Sequence, residues 1–265
     1  MTKIFVRILL IFSLLSILIL DYAFSFQKPN IFDAVFPDKD EVPQISTNEF
    51  IKMQKEGAII IDNRPYIEWS ISNIPGSMVV SPKPGTSKAL YTSDAEEIEK
   101  VVKGDKKKLV ILYCDGIYCG KSRRVAKDLI KRGFTNVYRY QLGIPIWRAL
   151  GNVTKCEIEG IKYIYNLDKT AYFIDARKNE EFSKFNLKNS KNIPFDKVTE
   201  GKDTGEILKA KEDGRLPVDD RNTRIIVYGN NKNEALKVAE ALVKEAFHNV
   251  CFYDGEITQI IKLSE

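Results

Sequence analysis

With 265 residues, 44% apolar and 29% charged, the chain has the make-up of a globular protein and the length of two ordinary domains. A net charge of +5, spread along the chain, does not favour a nucleic-acid-binding surface and suits a small anionic substrate. Four cysteines are too few for a disulfide-built scaffold, and the single histidine, His248, speaks against a Cys–His hydrolase and a histidine-containing metal site.

The first 25 residues stand apart. "MTKIFVR" is basic, Ile8 to Leu20 is almost purely apolar, and the small-residue site "AFS" follows at Ala23 to Ser25. This pattern predicts a signal peptide over residues 1–25, and with it an exported protein, periplasmic or secreted. The alternative is an uncleaved anchor over residues 4–20, although the apolar run, at about 1.5 Å per residue, falls short of a ~30 Å hydrocarbon core. Only an uncleaved anchor would make the membrane a partner. Residues 26–43 are expected as an N-terminal extension.

The next elements follow in order. Ser46 and Glu49 form a capping box that opens a short helix in "NEFIKMQKEG", ended by Gly57. "AIIID", closing at Asp62, is rich in β-branched residues and predicts a buried strand. "DAEEIEKVVK" predicts a helix, the run Lys103 to Lys108 a solvated turn, and "KLVILYC" a second strand. "KSRRVAKDLIKRG" predicts a helix with Val125, Ala126, Leu129 and Ile130 on one face and Gly133 as its stop. "NVYRY" predicts a third strand.

After residues 152–165, expected as a linker, the grammar repeats in "AYFID", "RIIVYG" and "NEALKVAEALVKEAF". The letters repeat as well. Asp62, Arg64 and Glu68 match Asp175, Arg177 and Glu181, and Phe134, Asn136 and Val137 match Phe247, Asn249 and Val250, all 113 residues apart. The expectation is an α/β chain with two domains, residues 44–151 and 166–265, each a mainly parallel sheet flanked by helices on both faces. Ligand loops belong at the carboxyl ends of such strands.

Cys114 ends the second strand, and "DGIYCG" leads from it into a helix. A turn there aims backbone N–H groups at one point. The helix dipole adds positive charge, and both favour a thiolate or a thiolate-bound anion. Lys121, Arg123 and Arg124 reinforce the field. A phosphatase loop needs an arginine six positions after its cysteine. Gly120 and Val125 occupy those positions after Cys114 and Cys119, which disfavours that chemistry. A thioredoxin-like motif would need two residues between the cysteines, and here there are four.

Several separated stretches together resemble the rhodanese-like sulfurtransferases. They are "IDNRPYIEW", "NIPGS" at Asn73 to Ser77, "VILYCDGIYC", and "GFTNVYRYQLGIPIW" at Gly133 to Trp147. Ser72 or Asn73 stands where the family's usual histidine precedes the Ile-Pro-Gly element. The resemblance covers about residues 44–265 and implies a tandem rhodanese protein without cofactor or metal. A loop cysteine of this family takes sulfane sulfur from an anionic donor such as thiosulfate. It holds the sulfur as a persulfide and passes it to a thiol or cyanide acceptor.

The resemblance implies Cys114 as the nucleophile, because the family's cysteine directly ends the strand and opens a six-residue loop. Asp115, Gly116, Ile117 and Tyr118 would then cradle the substrate, and Lys121 and Arg123 would attract it. Arg64 would face the loop, or pair with Asp62 as a structural ion pair. A rival reading opens the loop at Cys119 and closes it at Arg124. In the first reading Cys119 is a resolving thiol, an ordinary loop residue, or the partner of Cys114 in a resting disulfide.

The second copy has Gly229 where the first has Cys114, so residues 166–265 are expected to be catalytically silent and to cover the active face of the first domain. This order reverses that of the best-known tandem members. The stretch from Cys114 to Phe134 is two residues longer than that from Gly229 to Phe247, which predicts an expanded first loop. Cys156, Cys251 and Trp147 are expected as structural residues. A non-catalytic binding or redox-sensing module, or a thiol oxidoreductase using Cys114 and Cys119, are the alternatives in function.

Overall fold

The computed structural model describes residues 30–36, 42–80 and 92–264. The expected signal peptide or anchor lies outside the described residues, as does much of the extension. Among the described residues no helix is long and apolar enough to cross a membrane. Ile31–Asp33 form a single 3-10 turn, capped by Asn30 Oδ1, which accepts the Phe32 N–H at 3.1 Å.

The first domain runs α1 (Thr47–Lys55), β1 (Ile59–Asp62), α2 (Tyr66–Ile71), β2 (Ser77–Met78), α3 (Ala95–Val101), β3 (Val110–Tyr113), α4 (Gly120–Lys131), β4 (Val137–Tyr140) and α5 (Gly143–Ala149). All its strands are parallel, in the order β2-β1-β3-β4. The capping box that starts α1 is formed: Ser46 Oγ accepts the Glu49 N–H, and Glu49 Oε2 accepts the Ser46 N–H at 2.7 Å.

Alternate strand residues point to opposite faces, so the apolar runs feed two cores. Ile61, Val110, Leu112 and Val137 pack with Val125, Ala126 and Leu129 of α4. Ile60, Ile111, Tyr113 and Tyr140 pack with Phe50 of α1 and with Ile144 and Trp147 of α5. Burying such a side chain contributes roughly 1.5–3 kcal/mol each, which is why runs without polar alternation become central strands. Trp147 is structural as expected: its Nε1 donates to Val153 O at 2.9 Å, and its ring meets Phe50 edge-on.

The second domain runs β5 (Thr154–Cys156), α6 (Ile158–Leu167), β6 (Tyr172–Asp175), α7 (Asn179–Lys184), β7 (Lys191–Asn192), α8 (Gly205–Glu212), β8 (Ile225–Tyr228), α9 (Lys232–Lys244), β9 (Val250–Tyr253) and α10 (Ile257–Ile261). Its strands are also parallel, in the order β5-β9-β8-β6-β7. Apart from β5 this is the order of the first sheet. Residues 152–165, expected as a linker, contain β5 and the start of α6. The segment is structured because Thr154 and Cys156 are fully buried against β9. Cys156 and Cys251 are free, buried neighbours on these two strands, and burial pushes the Cys156 thiol well above its ordinary range.

The domains share a tight seam. Asn73 and Lys155 exchange backbone hydrogen bonds of 2.8 Å, Glu157 N donates to Ser70 O at 2.7 Å, and Ser72 Oγ meets Thr154 Oγ1 at 3.0 Å. Helix α6 lies so close to α2 that a Cβ on Gly160 would stand 2.1 Å from Ser70 O. A backbone carbonyl cannot yield as a flexible side chain can. Gly160→Ala is therefore expected to destabilise the protein by about 2–4 kcal/mol. Thermal unfolding checks the loss, and unchanged unfolding would show that the helices do not meet so closely. The second domain is seated on α2 rather than over the loop after β3, whose tip residue Tyr118 is fully exposed.

Candidate active site

The sheet order places β1 and β3 side by side where the chain changes direction of winding. The crevice beyond their carboxyl ends is the usual ligand position of an open parallel sheet. Register pairs Asp62 with Tyr113, so Asn63, Arg64, Cys114 and Asp115 emerge together there. Asn63 ties the two strand ends, donating from its backbone N at 3.0 Å and its side-chain Nδ2 at 3.2 Å to Tyr113 O.

Residues 114–119 form the loop between β3 and α4, and Cys114 and Cys119 are joined as a disulfide across it. Of the readings open for Cys119, the structure presents the disulfide partner. The two sulfurs are not equivalent in their surroundings. Cys114 is 1% exposed, whereas Cys119 is half-buried and is the N-cap residue of α4. The loop turns back on itself through Cys119 N–H donating to Gly116 O at 3.0 Å. Gly116 takes a φ of +115° there, a region open mainly to glycine.

Beneath the loop lies Gly143, with a φ of +61°. A Cβ at that position would stand 2.2 Å from Cys114 O and 2.6 Å from Gly116 N. Ile144 N–H donates to Cys114 O at 3.3 Å. The "LGIP" stretch is thus the floor on which the loop backbone rests.

Arg139, on β4, belongs to no motif that marks it in the sequence. Its side chain is fully buried, and its guanidinium donates to Ser122 Oγ at 2.9 Å and to Cys119 O at 3.0 Å. It holds the start of α4 from below. The matching residue of the second copy is Phe252, in the domain that lacks the cysteine. That co-occurrence within one chain is the signal by which Arg139 could have been found.

Arg64 sits beside the loop but is committed elsewhere. Its Nη2 reaches Asp62 Oδ2 at 2.6 Å and Ser72 O at 2.6 Å, while its Nε is 4.0 Å from Asp115 Oδ1. Burial works against its charge, but Asp62, Tyr113 and Asp115 together outweigh it and raise the pKa. The second domain supplies an internal control. Arg177 Nη2 reaches Asp175 Oδ2 at 2.6 Å and Phe185 O at 2.7 Å. The same clamp persists where no cysteine exists, which supports a structural role for the Asp62–Arg64 pair.

Asp115 lies next to Cys114: its Oδ2 is 3.8 Å from Cys114 Sγ, and half of its side chain is exposed. Glu68 of α2 faces it. Partial burial and the neighbouring Asp115 raise the Glu68 pKa, against the opposing pull of Arg64 and Lys121. A carboxyl raised in the folded state costs stability as pH climbs from its unfolded value through its folded value, and none is lost below that window. Glu68→Gln is expected to stabilise the protein at neutral pH and to leave it unchanged at acid pH, as read from thermal unfolding. Equal effects at both would show that Glu68 carries no strained charge.

Of the other expected site residues, Gly116 is buried, Ile117 half-buried and Tyr118 exposed; Lys121 and Arg123 are half-buried in the first turn of α4, which carries no acid. The loop therefore has one carboxylate, Asp115, close to both sulfurs, and a helix amino end with basic neighbours at Cys119. The metal-binding atoms of Cys114, Asp115 and Cys119 lie within 4.8 Å of one another, but sulfurs bonded to each other offer no thiolate to an ion.

In the second domain, Asn231 caps α9 directly after Gly229 and Asn230. This connection is shorter than residues 114–119, in line with the expected expansion. A Cβ on Gly229 would lie 2.9 Å from Glu234 Cβ and 3.1 Å from Glu234 Oε2. Asn230 N–H donates to that same carboxylate at 2.9 Å. The space of a cysteine side chain is filled by the protein's own carboxylate.

The description "Rhodanese-like domain" matches residues 46–150 and again 162–262. No curated protein is significantly similar in sequence. Among solved structures, a thiosulfate sulfurtransferase from Pseudomonas aeruginosa is 16% identical with a TM-score of 0.34, covering 81% of this chain and 43% of its own. A 3-mercaptopyruvate sulfotransferase from Escherichia coli is 18% identical with a TM-score of 0.30, covering 78% and 96%. An uncharacterised protein from Saccharomyces cerevisiae is 18% identical with a TM-score of 0.32, covering 40% and 88%. At such scores these structures add nothing to the double domain match.

Proposed function

Since the chain belongs to the rhodanese-like family, with two copies of the domain, we propose that it is a sulfurtransferase working through a Cys114 persulfide, with Cys119 as the resolving thiol. The observation that carries this reading is the Cys114–Cys119 disulfide at the carboxyl end of β3. It places a second thiol within bonding reach of the residue in the family's nucleophile position.

The cycle starts from the reduced pair. The Cys114 thiolate attacks the sulfane sulfur of an anionic donor such as thiosulfate, breaking the donor's S–S bond and releasing sulfite. Cys114 then holds the sulfur as a persulfide. A thiophilic acceptor, cyanide or a thiol, can take it directly. Alternatively the Cys119 thiolate attacks Cys114 Sγ and expels hydrosulfide, which leaves the disulfide. The carried sulfur gains two electrons and the two cysteines lose them. Two thiols from a reductant restore the starting pair.

Lys121 and Arg123, with the α4 amino end, would draw the anion in. Gly229 leaves the second domain without a nucleophile, so its task is to hold α2 and the crevice wall. The hydrophobic start of the chain supports export, where a disulfide persists.

The test is sulfide release from thiosulfate by the full protein with dithiothreitol present, alongside intact mass with reductant removed. The proposal expects sulfide that depends on both thiosulfate and protein, and a gain of one sulfur atom when discharge is blocked. No sulfur gain with thiosulfate or other sulfane donors would overturn it. The disulfide itself favours a second reading, a thiol oxidoreductase. That protein would exchange electrons with dithiols while never acquiring sulfur.

A further inference from the structure

We propose that thiol reductants open the disulfide at Cys119, so that Cys114 departs as the thiolate and is delivered directly in its nucleophilic form. This inference rests on the reading above only for what Cys114 does next. The opening step itself needs no sulfur donor.

Access decides the point of attack. An incoming thiolate must approach the struck sulfur in line with the S–S bond. Cys114 is 1% exposed and its carbonyl is tied to Ile144 N–H over the Gly143 floor. Cys119 is half-buried beside Tyr118, which projects fully into solvent, and beside exposed Gly120. Charge points the same way. A carboxylate oxygen of Asp115 lies 3.8 Å from Cys114 Sγ and the group is also within 4.8 Å of Cys119 Sγ, with Arg64 Nε 4.0 Å from it, so Asp115 disfavours an incoming thiolate at both sulfurs and only slightly more at Cys114. At Cys119 the thiolate meets the amino end of a twelve-residue helix whose first turn carries no acid, with Lys121 and Arg123 on it.

Two effects oppose this: Asp115, 3.8 Å away, disfavours a thiolate on the departing Cys114, and the helix end acts on the other sulfur. The helix end would make Cys119 the better leaving thiolate, which favours attack on Cys114. Leaving-group preference grades the rates of two open routes. It does not help a route whose target sulfur is shielded, as Cys114 is in the closed disulfide form.

In bonds, the reductant sulfur joins Cys119 Sγ, the Cys119–Cys114 bond breaks, and its electron pair stays on Cys114. The reductant sulfur is oxidised and Cys114 reduced. A second thiolate of the reductant then attacks the reductant sulfur of the mixed disulfide, freeing Cys119 as a thiolate. Cys119 thus meets the reductant, and Cys114 meets the sulfur donor only after the disulfide has opened.

The test mixes the disulfide form of the full protein with reduced glutathione, stops it with acid and an alkylating reagent, and maps glutathione by fragment masses that separate Cys114 from Cys119. Glutathione is expected on Cys119 in at least roughly tenfold excess over Cys114. In a second arm, Cys114→Ser and Cys119→Ser are given oxidised glutathione. Cys114→Ser is expected to take up one glutathionyl group at least about tenfold faster than Cys119→Ser. Buried Cys156 and Cys251 should stay unmodified in both and report an intact fold. Glutathione mainly on Cys114, or on the two equally, overturns the proposal. A protein that exchanges at Cys119 yet never gains sulfur would instead overturn the sulfurtransferase reading alone.

Discussion

Replacing Cys114 by serine is expected to abolish sulfur uptake from thiosulfate, while replacing Cys119 is expected to preserve it. Serine at neutral pH offers almost no alkoxide, so loss of the thiolate should lower transfer to cyanide by on the order of a thousandfold or more. Cys119→Ser keeps the thiol at the end of β3 and removes the group that expels the carried sulfur. Its persulfide should therefore accumulate: one added sulfur atom by mass, and sulfide release that needs an external thiol. The opposite pattern, with uptake lost in Cys119→Ser and kept in Cys114→Ser, would move the nucleophile to Cys119. Its position as the N-cap residue of a helix with a basic first turn makes that a real contest. Testing wild type under reducing and oxidising conditions adds a control, because the closed disulfide presents no nucleophile.

The second large effect is at Gly143. A side chain there meets Cys114 O at 2.2 Å and Gly116 N at 2.6 Å, with φ at +61°. Left-handed backbone at a non-glycine residue costs on the order of 1–3 kcal/mol, and the clash with two backbone groups adds to it. Gly143→Ala is expected to lose roughly 3–5 kcal/mol, or about 10 °C in Tm, and to leave the disulfide easier to reduce. Gly133→Ala is the matched control. Gly133 also has positive φ, at +89°, but a Cβ there meets nothing within 4 Å, so only the backbone term, on the order of 1–3 kcal/mol, remains. If Gly143→Ala and Gly133→Ala unfold alike, the loop does not rest on Gly143.

These two residues differ in how far the sequence exposes them. Cys114 is legible because an uninterrupted apolar run must be a central strand, and its last residue must emerge at the sheet's carboxyl edge. Gly143 is visible only as part of a family-like "LGIPIW" stretch; nothing in its neighbours says which backbone it lies against. Arg139 is less legible still. In "NVYRY" it is one unmarked residue of an expected strand, yet α4 covers that face and its guanidinium turns to Cys119 O and Ser122 Oγ. Periodicity reports which residues share a face, and cannot report which loop lies above them.

Arg64 shows the same limit from the other side. As a cation at a strand end it reads either as a ligand for an anion or as the structural partner of Asp62. The bidentate grip of Asp62, repeated by Asp175 and Arg177, gives it a structural task in both domains. Residues 152–165 lie between the two expected domains and read as a linker. Strand β5 forms there because three residues suffice when β9 supplies the partner and Asn73 closes the other edge.

The sequence by itself determined the duplication, the two parallel α/β sheets, the cysteine at the end of β3 and its loss at Gly229. Each of these follows from local pattern: buried strands need apolar runs, surface helices need one apolar face, and a repeat keeps its spacing. Only the tertiary structure decided how Cys119 relates to Cys114, which sulfur is sheltered, and which charges face each one. Those depend on long-range contacts from Gly143, Arg139, Asp115 and Glu68, brought to one loop by a sheet that joins residues far apart in the chain.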